Sequence, residues 1–206
     1  YRWSLTSVTK HFAAVIVINQ IEREWMLQHG VSEEKLHVIP CGAPTDLFRP
    51  RIRSGNGPVR FVMVSRLSAA KGCEWSIRAF AQVAGKLHDC QLHIYGDGPL
   101  REQLEKLVDK LGLVNRVIFH GWVDERQLAE VLPGYDVFLQ HSLDKEGFGV
   151  SIVEAAACEL PVVVTPVSGI LEHVVPGKTG LCVPEKDERA MASAMLKLAT
   201  DPNLRR

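Results

Sequence analysis

The sequence predicts an α/β domain, a Rossmann-like and mostly parallel sheet covered by helices on both faces. Two observations predict it. Short, largely apolar runs such as 59–65, 137–140 and 161–165, several with an unbroken apolar centre, read as strands buried on both faces, because half-exposed strands alternate polar and apolar residues. Longer stretches of helical period separate these runs, and strands alternating with helices are the pattern of βαβ units.

In chain order the strands are expected at 14–18, 36–39, 59–65, 91–95, 117–120, 137–140, 161–165 and 181–183. Helix 74–87 places Trp75, Ile77, Phe80, Ala81, Ala84 and Leu87 on one face, and helix 100–111 does so with Leu100, Leu104, Leu107 and Leu111. A third helix runs from about 150 to 158 and a last one from 187 to 199. Segment 51–58, RIRSGNGP, is rich in Gly, Pro and polar residues and reads as a linker. Residues 1–50 hold a strand, a helix and a strand, too little for a domain, and are expected to end a preceding domain; residues 59–206 form the Rossmann-like domain. The opening Tyr1-Arg2-Trp3-Ser4 has neither an initiator Met nor a signal-peptide pattern, so a fragment is expected.

Composition narrows the function classes. A chain of 206 residues, 46% hydrophobic and 23% charged, can bury a core, and no apolar run approaches the roughly 20 residues of a membrane span. Twenty-four Lys and Arg balance 24 Asp and Glu, leaving no basic field for a polyanion, so nucleic acid is not an expected partner. Cys41, Cys73, Cys90, Cys158 and Cys182 are scattered, without a Cys-x-x-Cys pair, and are expected as small buried hydrophobes in a reducing compartment.

Ligands of open parallel sheets bind beyond the carboxyl ends of the strands, which directs attention to three loops. After strand 59–65, Arg66 and Lys71 share a loop and together could neutralise a diphosphate; a solvated basic pair with no ligand is an equal reading. After strand 91–95 stands Gly96-Asp97-Gly98-Pro99, which suits a ligand loop or a plain tight turn, and no Gly-x-Gly-x-x-Gly fingerprint is found. After strand 137–140, Glu146 lies in a loop, Gly147 and Gly149 can expose backbone N–H groups, and Glu154 sits about one turn inside the next helix. A carboxylate there can accept from vicinal hydroxyls, as acidic residues do for ribose, or can merely favour the helix start. His120 and His141, each at a strand end, are expected to be hydrogen-bonded structural residues rather than bases.

The order SRLSAAKG, IYGDGP, FHGWV, YDVFLQHS, EGFGVSIVEAAACELPVV and VSGILEHVVPGKTG resembles the carboxyl-terminal domain of glycosyltransferase family 4 over about three quarters of the chain. AAVIVINQ and KLHVIPCGAPTDLF are similar to that family's approach to its interdomain linker. The resemblance implies one half of a two-domain GT-B enzyme, the half that binds a UDP-, GDP- or ADP-sugar, with retention of anomeric configuration and a sugar or lipid-linked acceptor. It implies that Arg66 and Lys71 contact the donor diphosphate, Glu154 the ribose hydroxyls and Glu146 the transferred sugar. The backbone of Phe148, Gly149 and Val150 would follow the sugar and phosphates, and that around Trp122 and Val123 would meet the base. Catalysis would rest on Glu146, Arg66 and Lys71, Glu146 positioning the sugar in a front-face transfer rather than forming a covalent intermediate. No cofactor and no metal are implied, and the chain has no Asp-x-Asp motif. The setting would be cytoplasmic, any membrane association running through the missing amino-terminal domain, and the fragment alone would be inactive. A phosphorylase of similar fold and a non-enzymatic nucleotide-binding module are the alternatives. Glu159 and Ser168 stand where the family pattern has glycine, and CGAPTDLF replaces a more common NGVD-like run.

Overall fold

A computed structural model describes residues 8–9, 11–51, 57–144 and 146–205. Residues 1–4, read above as the mark of a fragment, and 52–56 of the expected linker lie outside the described residues.

The main sheet consists of β3 (Val59–Val64), β4 (Cys90–Tyr95), β5 (Val117–Gly121), β6 (Val137–Gln140), β7 (Val162–Val164) and β8 (Gly180–Cys182). Their order is β5-β4-β3-β6-β7-β8, with every pairing parallel. This is the doubly wound order, in which the chain first builds outward from β3 and then restarts at β6 on its other side. The crevice at that switch point, above the ends of β3 and β6, is where the two halves of the sheet feed their loops apart.

Alternation along the strands supplies a core on each face. Phe61, Met63, Leu92, Ile94, Val137 and Leu139 point to a layer formed by α2 (Cys73–Ala84), α3 (Arg101–Lys110) and α6 (Glu188–Thr200). Val62, Phe138, Val162 and Val164 point the other way, against α4 (Glu125–Val131) and α5 (Val150–Ala157). The central strands β3 from Phe61 onward, β6 and β7 are thus apolar on both sides, which is why they read as apolar runs, whereas β4 carries Gln91 and His93 on one face.

A smaller parallel pair, β1 (Val15–Val17) and β2 (Leu36–Val38), encloses α1 (Gln20–Gln28) and packs around Val17, Val31 and Leu36. The expected strands recur within a residue or two of their sequence limits. Helix 74–87 begins at Cys73 and stops at Ala84, where Gly85 follows, while Leu87 still packs on the core. Helix α4 has only Leu128 and Ala129 buried, too short a stripe to show a period, although its capping box of Asp124 and Gln127 is legible as D-x-x-Q. No helix among the described residues is long and apolar enough to cross a membrane.

The two departures from the family pattern have a backbone meaning. Glu159 has φ 58° and Ser168 has φ 44°, so both keep the left-handed conformation that glycine adopts without strain. Glu159→Gly and Ser168→Gly are therefore expected to stabilise the fold, each by about 0.5–1 kcal/mol. Urea unfolding of each variant checks this, and a loss of stability at both positions would contradict it.

Candidate functional site

The chain places its loops at the switch point through close backbone approaches. Gly72 has φ 55°, and a Cβ there would lie 1.9 Å from the carbonyl oxygen of His141. The amide of Leu143 donates to the carbonyl of Ala70 at 2.8 Å. The loop after β3 is thereby fastened to the loop after β6, and Lys71 is brought to Glu146. On the other flank Gly96 has φ 120°, with its absent Cβ 1.9 Å from the Ser65 oxygen, and Gly98 presses on Leu67. Gly96 and Gly98 are thus required by the packing of one loop on another, whether or not a ligand binds.

Two adjoining cavities open above the strand ends. One, of about 480 Å³, is lined mainly by Val64, Tyr95, Asp97, Trp122, Val123 and Leu128. The other, of about 410 Å³, is lined by Lys71, Gln140, Glu146 and residues 147–151. Val64, Ser65 and Arg66 line both, so Arg66 stands at the boundary between a chamber walled by Trp122, Val123 and Leu128 and one that holds the Lys71–Glu146 pair among apolar residues including Ile18, Cys41 and Phe148. The fold therefore gathers Arg66, Lys71, Glu146, Phe148, Gly149 and Val150 in one chamber and Arg66, Trp122 and Val123 in the other. Glu154 lines neither.

The polar groups of the second chamber gather around Glu146. Lys71 Nζ lies 2.7 Å from both carboxylate oxygens, and Ser142 Oγ donates to Oε2 at 2.8 Å. Behind Ser142 a network continues: Gln140 Nε2 donates to Ser142 Oγ, Ser151 Oγ donates to Gln140 Oε1, and Thr165 Oγ1 donates to the Ser142 carbonyl. These polar residues at the end of an apolar strand were missed by sequence reasoning, although a run that turns from VFL to QHS marks the place. Gly149, with φ 78°, begins α5 without a side-chain cap and with no acidic residue in the first turn. The positive end of the helix therefore faces the chamber.

Glu154 is 9% exposed, and among the described residues no donor reaches its carboxylate. Burial, then the nearby charge of Glu125, raises its pKa above the usual carboxylate range. Trp122 is 75% exposed at the mouth of the apolar chamber. Phe148 is buried and stacks on His173 with ring centroids 4.7 Å apart.

The histidines behave as expected of structural groups. His141 is fully buried, its Nε2 accepts from the amide of Lys186 at 2.9 Å, and burial lowers its pKa to about 4. His120 meets His93 at 2.8 Å and stacks on Tyr95 at 4.3 Å, with its pKa lowered by burial.

The sequence model of the glycosyl transferases group 1 family matches residues 45–206, and the chain belongs to that family. It is 34% identical, over 183 residues, to a GDP-mannose-dependent alpha-(1-6)-phosphatidylinositol monomannoside mannosyltransferase of Mycolicibacterium smegmatis, covering 81% of this chain and 48% of that protein. It is 29% identical, over 216 residues, to the alpha-D-kanosaminyltransferase of Streptomyces kanamyceticus, covering 99% of this chain and 55% of that one. Among solved structures it resembles sucrose-phosphate synthase from Thermosynechococcus elongatus, with TM-score 0.82, 28% identity, and coverage of 100% of this chain and 53% of that one. Anabaena HepE in complex with UDP and glucose matches in fold, with TM-score 0.84, 24% identity, and coverage of 99% and 58%. The fold is that of a GT-B glycosyltransferase domain, and the chain spans about half the length of the curated relatives it matches.

The Lys71–Glu146 pair is partly exposed, at 28% and 14% of its side chains, so its net worth is moderate. A double-mutant cycle of Lys71→Met and Glu146→Gln is expected to show coupling on the order of 1 kcal/mol in unfolding free energy. Additive losses would contradict the pairing.

Proposed function

We propose that this chain is the donor-binding half of a retaining glycosyltransferase, which moves a sugar from a nucleoside-diphosphate sugar to an acceptor hydroxyl. On this reading residues 1–50 close a preceding domain, 51–58 form the linker, and 59–206 bind the donor. The observation that carries it is the convergence at one switch point of Arg66, Lys71 and the uncapped start of α5, between an apolar chamber and a carboxylate. A nucleotide sugar has the matching sequence of parts: base, diphosphate, sugar.

The base would occupy the chamber of Val64, Val123 and Leu128, beside Trp122. The diphosphate would cross at Arg66, which has no carboxylate partner among the described residues and can bind phosphate as a fork. Lys71 is paired with Glu146, so donor binding would draw Lys71 toward the phosphate and release Glu146 to the sugar hydroxyls. Glu154 would accept from the ribose. Its carboxylate is costly without partners, and two hydroxyl donors would relieve that cost.

Charge develops on the departing diphosphate during transfer. Arg66, Lys71 once drawn from Glu146, and the α5 N-terminus could then stabilise that charge. The acceptor hydroxyl would approach on the face that the nucleotide leaves, which gives retention with no protein nucleophile. The names of the relatives, one GDP-mannose-dependent, and a neighbour's complex with UDP support the donor class. A carbohydrate acceptor, free or lipid-linked, and a cytoplasmic setting belong to the same reading.

Calorimetry with nucleoside diphosphates and nucleotide sugars separates the roles. Arg66→Ala should weaken diphosphates about 10–100-fold and nucleosides little, the loss of a charge-assisted bond of roughly 1.5–3 kcal/mol. Glu146→Gln should weaken only nucleotide sugars, whereas Glu154→Gln should weaken every nucleotide about tenfold. A raised pKa means that the folded state holds the proton of Glu154 more tightly than the unfolded state does. Its charge therefore destabilises the fold above that pKa, and Glu154→Gln should leave Tm at pH 7 unchanged or higher while affinity falls. Wild-type nucleotide affinity should also decline as pH is lowered through that raised pKa, a decline absent in Glu154→Gln. Unchanged nucleotide affinity in Glu154→Gln would remove the ribose from this placement.

A further inference from the structure

We propose that Asn19 is a positioning residue for the sugar end of the cleft, holding the Gly147–Phe148 peptide from outside the main sheet. The inference rests on the donor reading above for its consequence, although the contact itself stands apart from that reading.

Asn19 is 2% exposed and joins β1 to α1. Its two carboxamide atoms are used differently. Oδ1 accepts from the amide of Glu22 at 2.7 Å and caps α1, while Nδ2 donates across the interface to the carbonyl of Gly147. The donor and acceptor roles fix the orientation of the amide. The contact is narrow on every side. A Cβ on Gly169 would lie 2.8 Å from the Gly147 oxygen and 3.1 Å from Asn19 Nδ2, so the glycine leaves the space in which the bond forms. A Cβ on Gly147 would lie 3.3 Å from Ile18 Cδ1. Beside it the amide of Gln20 donates to the carboxylate of Glu172, at 3.0 and 3.2 Å, so the start of α1 is tied to two loops of the main domain.

The consequence follows from peptide planarity. The carbonyl of Gly147 and the N–H of Phe148 belong to one rigid plane and point in opposite directions. Anchoring the carbonyl on Asn19 turns the Phe148 N–H away from the interface. Glu146 precedes this plane, and Gly149, the cap of α5, follows Phe148. The preceding unit thus sets the loop that faces the transferred sugar, while the diphosphate contacts of Arg66 lie on another loop. Asn19 couples the seating of residues 11–51 first to the loop that would face the sugar and, through Gly149, to the start of α5.

Ser and Asp cap helices as well as Asn does. Asn19→Ser shortens the side chain and removes the donor that reaches Gly147, and Asn19→Asp replaces that donor by an acceptor; both spare α1. Gly169→Ala wedges the same contact while leaving the Asn19 side chain itself unchanged in sequence. The probes are UDP with UDP-glucose and GDP with GDP-mannose, titrated calorimetrically, together with amide hydrogen exchange of the free protein. All three variants are expected to lose about tenfold in nucleotide-sugar affinity and a smaller factor, about two- to threefold, in diphosphate affinity, because the α5 start follows the anchored peptide. Exchange over 146–151 should quicken by about tenfold or more, with protection in α1 unchanged in the two Asn19 variants. Unaltered nucleotide-sugar affinity together with unaltered exchange overturns the proposal. If the wild-type chain binds no nucleotide the donor reading fails, and the exchange at 146–151 alone then upholds or overturns the role of Asn19.

Discussion

The backbone of Gly72 rests against the carbonyl of His141 at a distance that no side chain would permit, and Leu143 bonds back to Ala70. Strands β3 and β6 are neighbours in the sheet, but the topology sends their outgoing chains into different helices. Without this fastening their loops would diverge. With it, Lys71 and Glu146, 75 residues apart, form a bidentate pair, and the start of α5 faces the same chamber. The buried Gln140–Ser142–Thr165 network holds the loop from below. Most of the site's geometry follows from this one contact between two loops.

The charges of the cleft are arranged unequally. Lys71 is engaged, Arg66 is not paired with a carboxylate among the described residues, and Glu154 carries a buried carboxylate held above its usual pKa. Groups whose titration is shifted by burial cluster at functional sites, and Glu154 is one such group beside the cleft. A diphosphate and a pair of ribose hydroxyls have the chemistry that Arg66 and Glu154 lack.

Much of the fold is legible in the sequence because both faces of the sheet are covered. Val162–Val164 must then be apolar throughout, and the alternation of Phe61 and Met63 with Val62 divides two cores without breaking the apolar run. Helix α4 escaped because its burial is confined to Leu128 and Ala129, within less than two turns. Arg66, Lys71 and Glu146 stand out in the sequence because loops at strand ends carry ligands, a rule that depends on topology alone, and the fold brings them together. The rule says nothing of residues that act through distant contacts. Asn19 reads as an ordinary helix cap, and its second bond crosses 128 positions of sequence. The burial of Glu154 was also not visible, since a glutamate one turn into a helix is commonly solvated.

The central claim is that the cleft at the β3–β6 switch point binds a nucleoside diphosphate and its attached sugar. Its most direct test is a thermal-shift panel of UDP, GDP, ADP and their hexose conjugates on the 206-residue chain. A ligand confined to the folded state at 100 times its Kd adds about 2.7 kcal/mol of stability, a shift of several degrees for a domain of this size. The account predicts that at least one nucleotide raises Tm by that order, that its sugar conjugate raises it further, and that both shifts are lost in Arg66→Ala. No shift from any member of the panel up to millimolar concentration, or shifts that persist undiminished in Arg66→Ala, would contradict it.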